Sequence, residues 1–468
     1  MLFRSLTFLH VFLPSVLALY FLSPVRMRNY VLLVASIIFY AWGEPLYLAM
    51  MLFTVIVNYV GALLIEKSQT SVLKKTALFG TISVDLGFLF YFKYFNFFLE
   101  NLNKFDFFDF PFIEVIMPIG ISFYTFQALS YLIDVYRGEV AAQHNFYKLA
   151  LYISLFPQLV AGPIVKYHDV YEEINSRKET FERFMYGIRR FVMGLAKKVL
   201  LANTLGAVVD TIYALPVSEI SVSAAWLGAI AYALQLYFDF SGYSDMAIGL
   251  GHMFGFKFLE NFNYPYLSRS VSEFWRRWHI SLSTWFKQYL YIPLGGNRIS
   301  KGRTYINLFI VFLVTGFWHG ASWSFIIWGM WNGVLVCAER FFGLNKEPCG
   351  KLSSFLRLCY ANFVFLAGWV LFRSDTLTYA IDYLKVMFGI MQTSPDNNGA
   401  LFYADNLFTA AFVVGIPTAM GAFAKIWDWA LKTKFRNMLF NVWLLFLYGL
   451  TFLSLAGSTY NPFIYFRF

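Results

Sequence analysis

TGFWHGASWS, residues Thr315 to Ser324, sets an imidazole inside an apolar run. From Tyr305 to Ala338 the chain has 34 residues without Asp, Glu, Lys or Arg, and His319 lies near their centre. As one helix that run would extend about 51 Å, against a hydrocarbon core of about 30 Å. Either one strongly tilted helix crosses a membrane, or the chain breaks at Gly316 and Gly320, which bracket the histidine. Broken backbone at membrane depth is tolerated only where it lines a cavity inside the protein. An imidazole at such a place is a hydrogen-bonded packing residue or a buried base, and the residue alone fits both.

The pattern recurs along the chain. Hydrophobic residues make up 59% of the 468, charged residues 14%, and the mean hydropathy is +0.57. That leaves too little charge to cover a soluble globule. Apolar runs lie near residues 5–22, 30–65, 77–99, 112–135, 148–165, 183–212, 223–256, 305–338, 354–372, 404–424 and 438–456. They predict an all-α integral membrane protein of about 11–13 transmembrane or re-entrant helices, read as a single domain over residues 1–468. No cleavage-site pattern follows the first run, so it reads as a retained span. Arg26 and Arg28 after it, against Arg4 before it, put the N-terminus outside. Lys432, Lys434 and Arg436 keep the start of the last span inside, which leaves the tail 457–468 outside.

Cys337, Cys349 and Cys359 have no disulfide or metal spacing, and six scattered histidines suggest no metal cluster. No nucleic-acid partner is expected of so apolar a chain. Residues 264–303 carry seven basic residues and one acid, Glu273, among many aromatics. Arg276, Arg277 and Arg298 belong to this cationic surface, which suits anionic membrane lipid or a nucleotide-bearing ligand. In LQLYFDFSGYSDMAIGLG, Asp239 and Tyr243 share one helix face, and Ser241 and Asp245 share another. They fit a hydrogen-bond network in a bundle, or the polar lining of a cavity. His279 lies in the basic segment, 40 residues before His319.

FDFSGYSDMAIGLG, NFNYPYLSRSVSEFWRRWHISLSTWFKQYLYIPLGGNR and TGFWHGASWSFIIWGMWNG together resemble the membrane-bound O-acyltransferase (MBOAT) family, as do MPIGISFYTFQALSYLIDVYRG and FPQLVAGPIVKYHDV. The likeness is to its bacterial alginate- and peptidoglycan-acetylating branch. It runs from about residue 30 to the end, with a signature core at about 118–340. The resemblance implies helices around a central tunnel, with acetyl-CoA entering from the cytoplasm as donor substrate and no resident cofactor. It places the family's near-invariant histidine on His319 and its second signature position on His279. Asp239, Ser241, Tyr243 and Asp245 then support the cavity, and Arg276, Arg277 and Arg298 face the donor phosphates. The implied function is O-acetylation of a cell-surface polysaccharide such as alginate, peptidoglycan or a cellulose-like polymer. The implied place is the bacterial cytoplasmic (inner) membrane, with an extracytoplasmic SGNH-type O-acetyltransferase as partner.

The tail FIYFRF is similar to the terminal pattern of partner peptides in the family's D-alanylation branch, and Tyr465 is the acyl carrier this suggests. An interfacial aromatic anchor is the other reading. Two further functions fit the buried ionisable groups. One is a transporter or proton-coupled carrier. The other is a lipid-acceptor acyltransferase with a long-chain donor.

Overall fold

A computed structural model describes the chain except residues 2, 106–109, 114, 161, 392–397, 423–435 and 458–468. Tyr465 therefore lies outside the described residues. All regular structure among the described residues is helical. The chain divides into two compact units, Met1–Phe191 with Met246–Leu259, and Val192–Asp245 with Glu260–Phe468.

The first unit contains α1 (Phe8–Leu22), α2 (Arg28–Ala41), α3 (Pro45–Lys67), α4 (Ser71–Leu102), α5 (Ile121–Arg137), α6 (Phe146–Ser154) and α7 (Tyr167–Asn175). The run near 30–65 thus folds as two helices, because Gly43 and Pro45 interrupt it. Helices α3, α4 and α5 pack on one another. The close approach of α3 to α4 is set at Gly61, where a Cβ would fall on the Thr81 hydroxyl. Beside it the buried Asn58 amide donates to both oxygens of Asp85, at 3.1 and 2.9 Å. Such a pair satisfies a carboxylate that lipid could not. Gly138, at φ 75°, ends α5 in the left-handed conformation, and the Glu139 N–H closes the turn onto the Asp134 carbonyl.

The long helices α8 (Phe181–Tyr213) and α9 (Val222–Met253) are continuous. In the second unit they meet at Gly242, whose Cβ would lie 2.7 Å from the Gly194 carbonyl oxygen. There follow α10 (Val271–Arg277), α11 (Ile280–Phe286), α12 (Lys301–His319), α13 (Trp323–Phe341), α14 (Gly350–Arg373), α15 (Leu377–Met387), α16 (Asn406–Ala419) and α17 (Arg436–Gly457). By length and apolar composition α3, α4, α8, α14 and residues 438–457 of α17 can cross a membrane; α1 and α16 are shorter apolar helices.

The 34-residue apolar run resolves as a break. Helix α12 stops at His319, Gly320 is extended (φ −170°, ψ 155°), and α13 begins after Ser322, whose hydroxyl caps the Phe325 N–H. The two bracketing glycines do different work. Only Gly320 lies at the break. Gly316 is inside α12, where a Cβ would meet the Phe325 carbonyl oxygen at 2.4 Å and the Gly329 Cα at 2.9 Å. Small residues facing each other let the two backbones touch.

Candidate active site

His319 is the last residue of α12 and is 8% exposed. Its ring stands edge-on to Trp328 (centroids 5.1 Å apart) and to Phe372 (5.2 Å), with Trp318 at 5.0 Å. The helix thus ends at the imidazole, and aromatic rings wall it in.

His279 reaches the same unit from a different element. It is the residue before α11 and sits at φ 45°, ψ 54°, the left-handed region, which for a non-glycine residue costs on the order of 1–3 kcal/mol. The turn is over-determined by the fully buried Asn261. Its side-chain oxygen accepts from the Ser281 N–H (3.2 Å) and the Ser281 hydroxyl (2.9 Å), and its backbone oxygen accepts from the Ile280 N–H (3.0 Å). The Asn261 amide nitrogen donates to Ser244 of α9 at 3.0 Å. Because a backbone N–H identifies the Asn261 oxygen as an acceptor, His279 Nδ1, 3.2 Å from it, must be the donor. The neutral ring then carries its lone pair on Nε2. His279 is 1% exposed and packs edge-on against Phe240, and Trp318 lies 6.4 Å from it. The Trp318 ring thus lies beside both imidazoles.

The polar residues of α9 divide by face. Phe240 and Ser244 face the His279 turn. Asp239, Gly242 and Asp245 face α8, where residues 197–202 widen into a π-turn and present consecutive lysines. Lys198 ion-pairs with Asp239, both almost wholly buried, and Lys197 donates to Asp245 at 2.6 Å. Ser241 and Tyr243 are buried on the same helix. Nothing in the sequence near Asp239 announced Lys197 and Lys198, which come from a helix about 45 residues earlier. The nearest signal was their position as a charged doublet inside the apolar run 183–212.

Of the three arginines, Arg276 and Arg298 are exposed. Arg277 ion-pairs with Glu273 at 2.9 Å and donates to the Asn263 carbonyl at 3.2 Å, so part of its charge is spent on shaping the turn before His279. Among the described residues one group has metal-ligand spacing: Asp134, Glu139 and His168 in the first unit. There each ring nitrogen of His168 faces a carboxylate, Nδ1 to Asp134 at 2.9 Å and Nε2 to Asp169 at 3.1 Å. That geometry suits a protonated imidazole donating twice. The carboxylates of Asp134 and Asp169 hold its pKa up at about 9, against the opposing pull of burial and Lys166. Asp134, wholly buried, is the inner half of this clamp.

Two imidazoles from separate elements, fixed in orientation and shielded from water, suit acid–base chemistry at a carbonyl. Comparison with known proteins points the same way. Residues 88–381 match the membrane-bound O-acyltransferase family. "Probable alginate O-acetylase AlgI" of Pseudomonas aeruginosa is 46% identical over 409 residues, 86% of this chain and 78% of that one. The protein of the same name from Pseudomonas putida is 41% identical over the full length of both chains. The peptidoglycan O-acetyltransferase of Helicobacter pylori is 36% identical over 83% of this chain and 80% of its own. With its apolar helices and this match over most of its length, the chain belongs to the membrane-bound O-acyltransferase family and is a multi-pass membrane O-acyltransferase.

Proposed function

We propose that the protein moves acetyl from cytoplasmic acetyl-CoA across the bacterial inner membrane for O-acetylation of a cell-surface polysaccharide, with alginate and peptidoglycan the favoured classes. The reading is supported above all by His319, a buried imidazole at a helix break, with the oriented His279 in the same unit. The relatives that are 36–46% identical are named for alginate and peptidoglycan acetylation.

In this reading His319 takes the proton of the attacking hydroxyl as its oxygen bonds to the thioester carbonyl carbon. The tetrahedral centre then collapses, the carbon–sulfur bond breaks, and the imidazolium returns its proton to the leaving thiolate. General-base help of this kind is worth roughly 10²- to 10⁴-fold. His279, its Nδ1–H committed to Asn261, turns Nε2 toward the reacting groups and holds them. Exclusion of water protects the thioester from hydrolysis. Arg276 and Arg298, with what remains free of Arg277, offer cationic contacts for the donor's phosphates, while Asp239, Ser241, Tyr243 and Asp245 brace the cavity wall. Tyr465 is the proposed carrier that passes acetyl to an SGNH-type partner outside. The test is ester-linked acetyl on surface polymer, released by mild base, in cells carrying wild type or His319→Ala. The expected result is acetyl in the first and none in the second. Equal acetyl in both refutes the assignment of His319.

A further inference from the structure

The helix break does more than expose His319. Immediately after it, Ser324 is the second residue of α13 and is 3% exposed, yet its hydroxyl has no hydrogen-bond partner among the described residues. A helical serine ordinarily bonds to the carbonyl one turn back. Here that residue is Gly320, which is extended rather than helical, so the usual acceptor is not in place. Leaving a buried hydroxyl unpaired is costly, and such an orphan asks for an explanation.

Its position supplies one. Ser324, Trp328 and Asn332 recur every fourth residue on the buried face of α13. Trp328 is the residue whose indole meets the His319 ring, so Ser324 lies one turn nearer the break on the face that His319 packs against. Ser322 caps the Phe325 N–H, but the N–H of Ser324 itself belongs to the first turn and has no carbonyl one turn back. A 19-residue helix therefore directs its positive end, a buried hydroxyl and a backbone N–H toward the histidine's surroundings.

We infer that Ser324, through its hydroxyl and its backbone N–H at the start of α13, forms the oxyanion site for the thioester carbonyl attacked beside His319. The inference rests on the acyl-transfer reading given above, and it holds for any acyl chain length because the thioester is common to all. As the acceptor oxygen bonds to the carbonyl carbon, the π pair moves onto the carbonyl oxygen and the acceptor's proton goes to His319. The oxyanion then accepts from Ser324. When the carbon–sulfur bond breaks, the carbonyl reforms and the thiolate takes the proton from the imidazolium. Because the charge exists only between these steps, Ser324 acts in the transition state and hardly on the bound donor.

The experiment measures thiol release in membrane vesicles holding the full chain, with an alginate or peptidoglycan fragment as acceptor, and with acetyl-CoA or palmitoyl-CoA as donor. Ser324→Ala is expected to lower kcat on the order of 10²-fold with KM for the donor within about twofold, as loss of one oxyanion donor does elsewhere. Ser324→Thr, which keeps the hydroxyl, is expected to recover most of the rate. Thermal unfolding in detergent checks that each variant is folded. A folded Ser324→Ala enzyme within threefold of wild-type kcat overturns the oxyanion role alone. So does a loss confined to KM. Wild type that releases thiol from neither donor overturns the acyl-transfer reading and the oxyanion role with it.

Discussion

At the residue scale, the account turns on how side chains are oriented rather than on which ones are present. His279 has its tautomer chosen by Asn261, whose oxygen is fixed as an acceptor by the Ser281 N–H. Asn261→Ala removes that acceptor and relaxes a left-handed turn. We expect kcat to fall on the order of 10²-fold while the chain still folds, measured as donor turnover against thermal unfolding. His168 makes a different prediction. Its folded pKa of about 9 lies above its ordinary 6.5, so the stability it contributes is complete below about pH 6.5 and is lost as pH rises through about 9. Wild type should lose thermal stability over that window, and His168→Gln should show a flatter profile over it. An unchanged profile in the variant would remove the doubly bonded imidazolium from the account. Neither clamp was legible in the sequence. Asn261 lies 18 residues before His279, and Asp134 lies 34 before His168, and no local period connects them.

At the element scale, the decisive feature is the α12–α13 break, and this much was readable. A 34-residue uncharged run left a strongly tilted crossing or a break as the two choices, and glycines flank its histidine. The sequence did not separate the two glycines, because a glycine that ends a helix and one that lets helices touch look alike in one dimension. Contact decides between them. Gly316 faces Gly329 across the crossing, and in turn a Cβ on Gly329 would meet the Phe312 carbonyl oxygen at 2.5 Å. Gly316→Val should therefore force the helices apart and cost about 1–3 kcal/mol, shifting the position of His319. The expected outcome is a lowered unfolding temperature with donor turnover reduced in parallel; an undisturbed unfolding temperature would contradict the close crossing. The Asp239 and Asp245 pairs illustrate the same limit. Spacing put Asp239 and Asp245 on different helix faces, whereas both turn toward α8 and pair with cations of a π-turn that hydropathy cannot show.

At the scale of the whole molecule, composition alone read the class. High hydropathy and little charge required an integral membrane protein, and the described residues are helical without strands. The match over residues 88–381 then selects an O-acyltransferase over a carrier. The proposed transfer of acetyl across the membrane has two ends. The exposed Arg298 stands for the donor side, and Arg298→Ala should raise KM for acetyl-CoA several-fold with little change in kcat, more so at low salt. Tyr465 stands for the far side: Tyr465→Phe should abolish polymer acetylation if the tail carries the acyl group, and acetylation at the wild-type level would refute the carrier. The central claim, transfer of acetyl from CoA through His319, is met most directly by supplying acetyl-labelled CoA to purified wild type and to His319→Ala, then locating protein- and polymer-bound label by mass spectrometry. The account predicts label in a stable oxygen ester from wild type and none from the variant. Label from both to the same extent would contradict it.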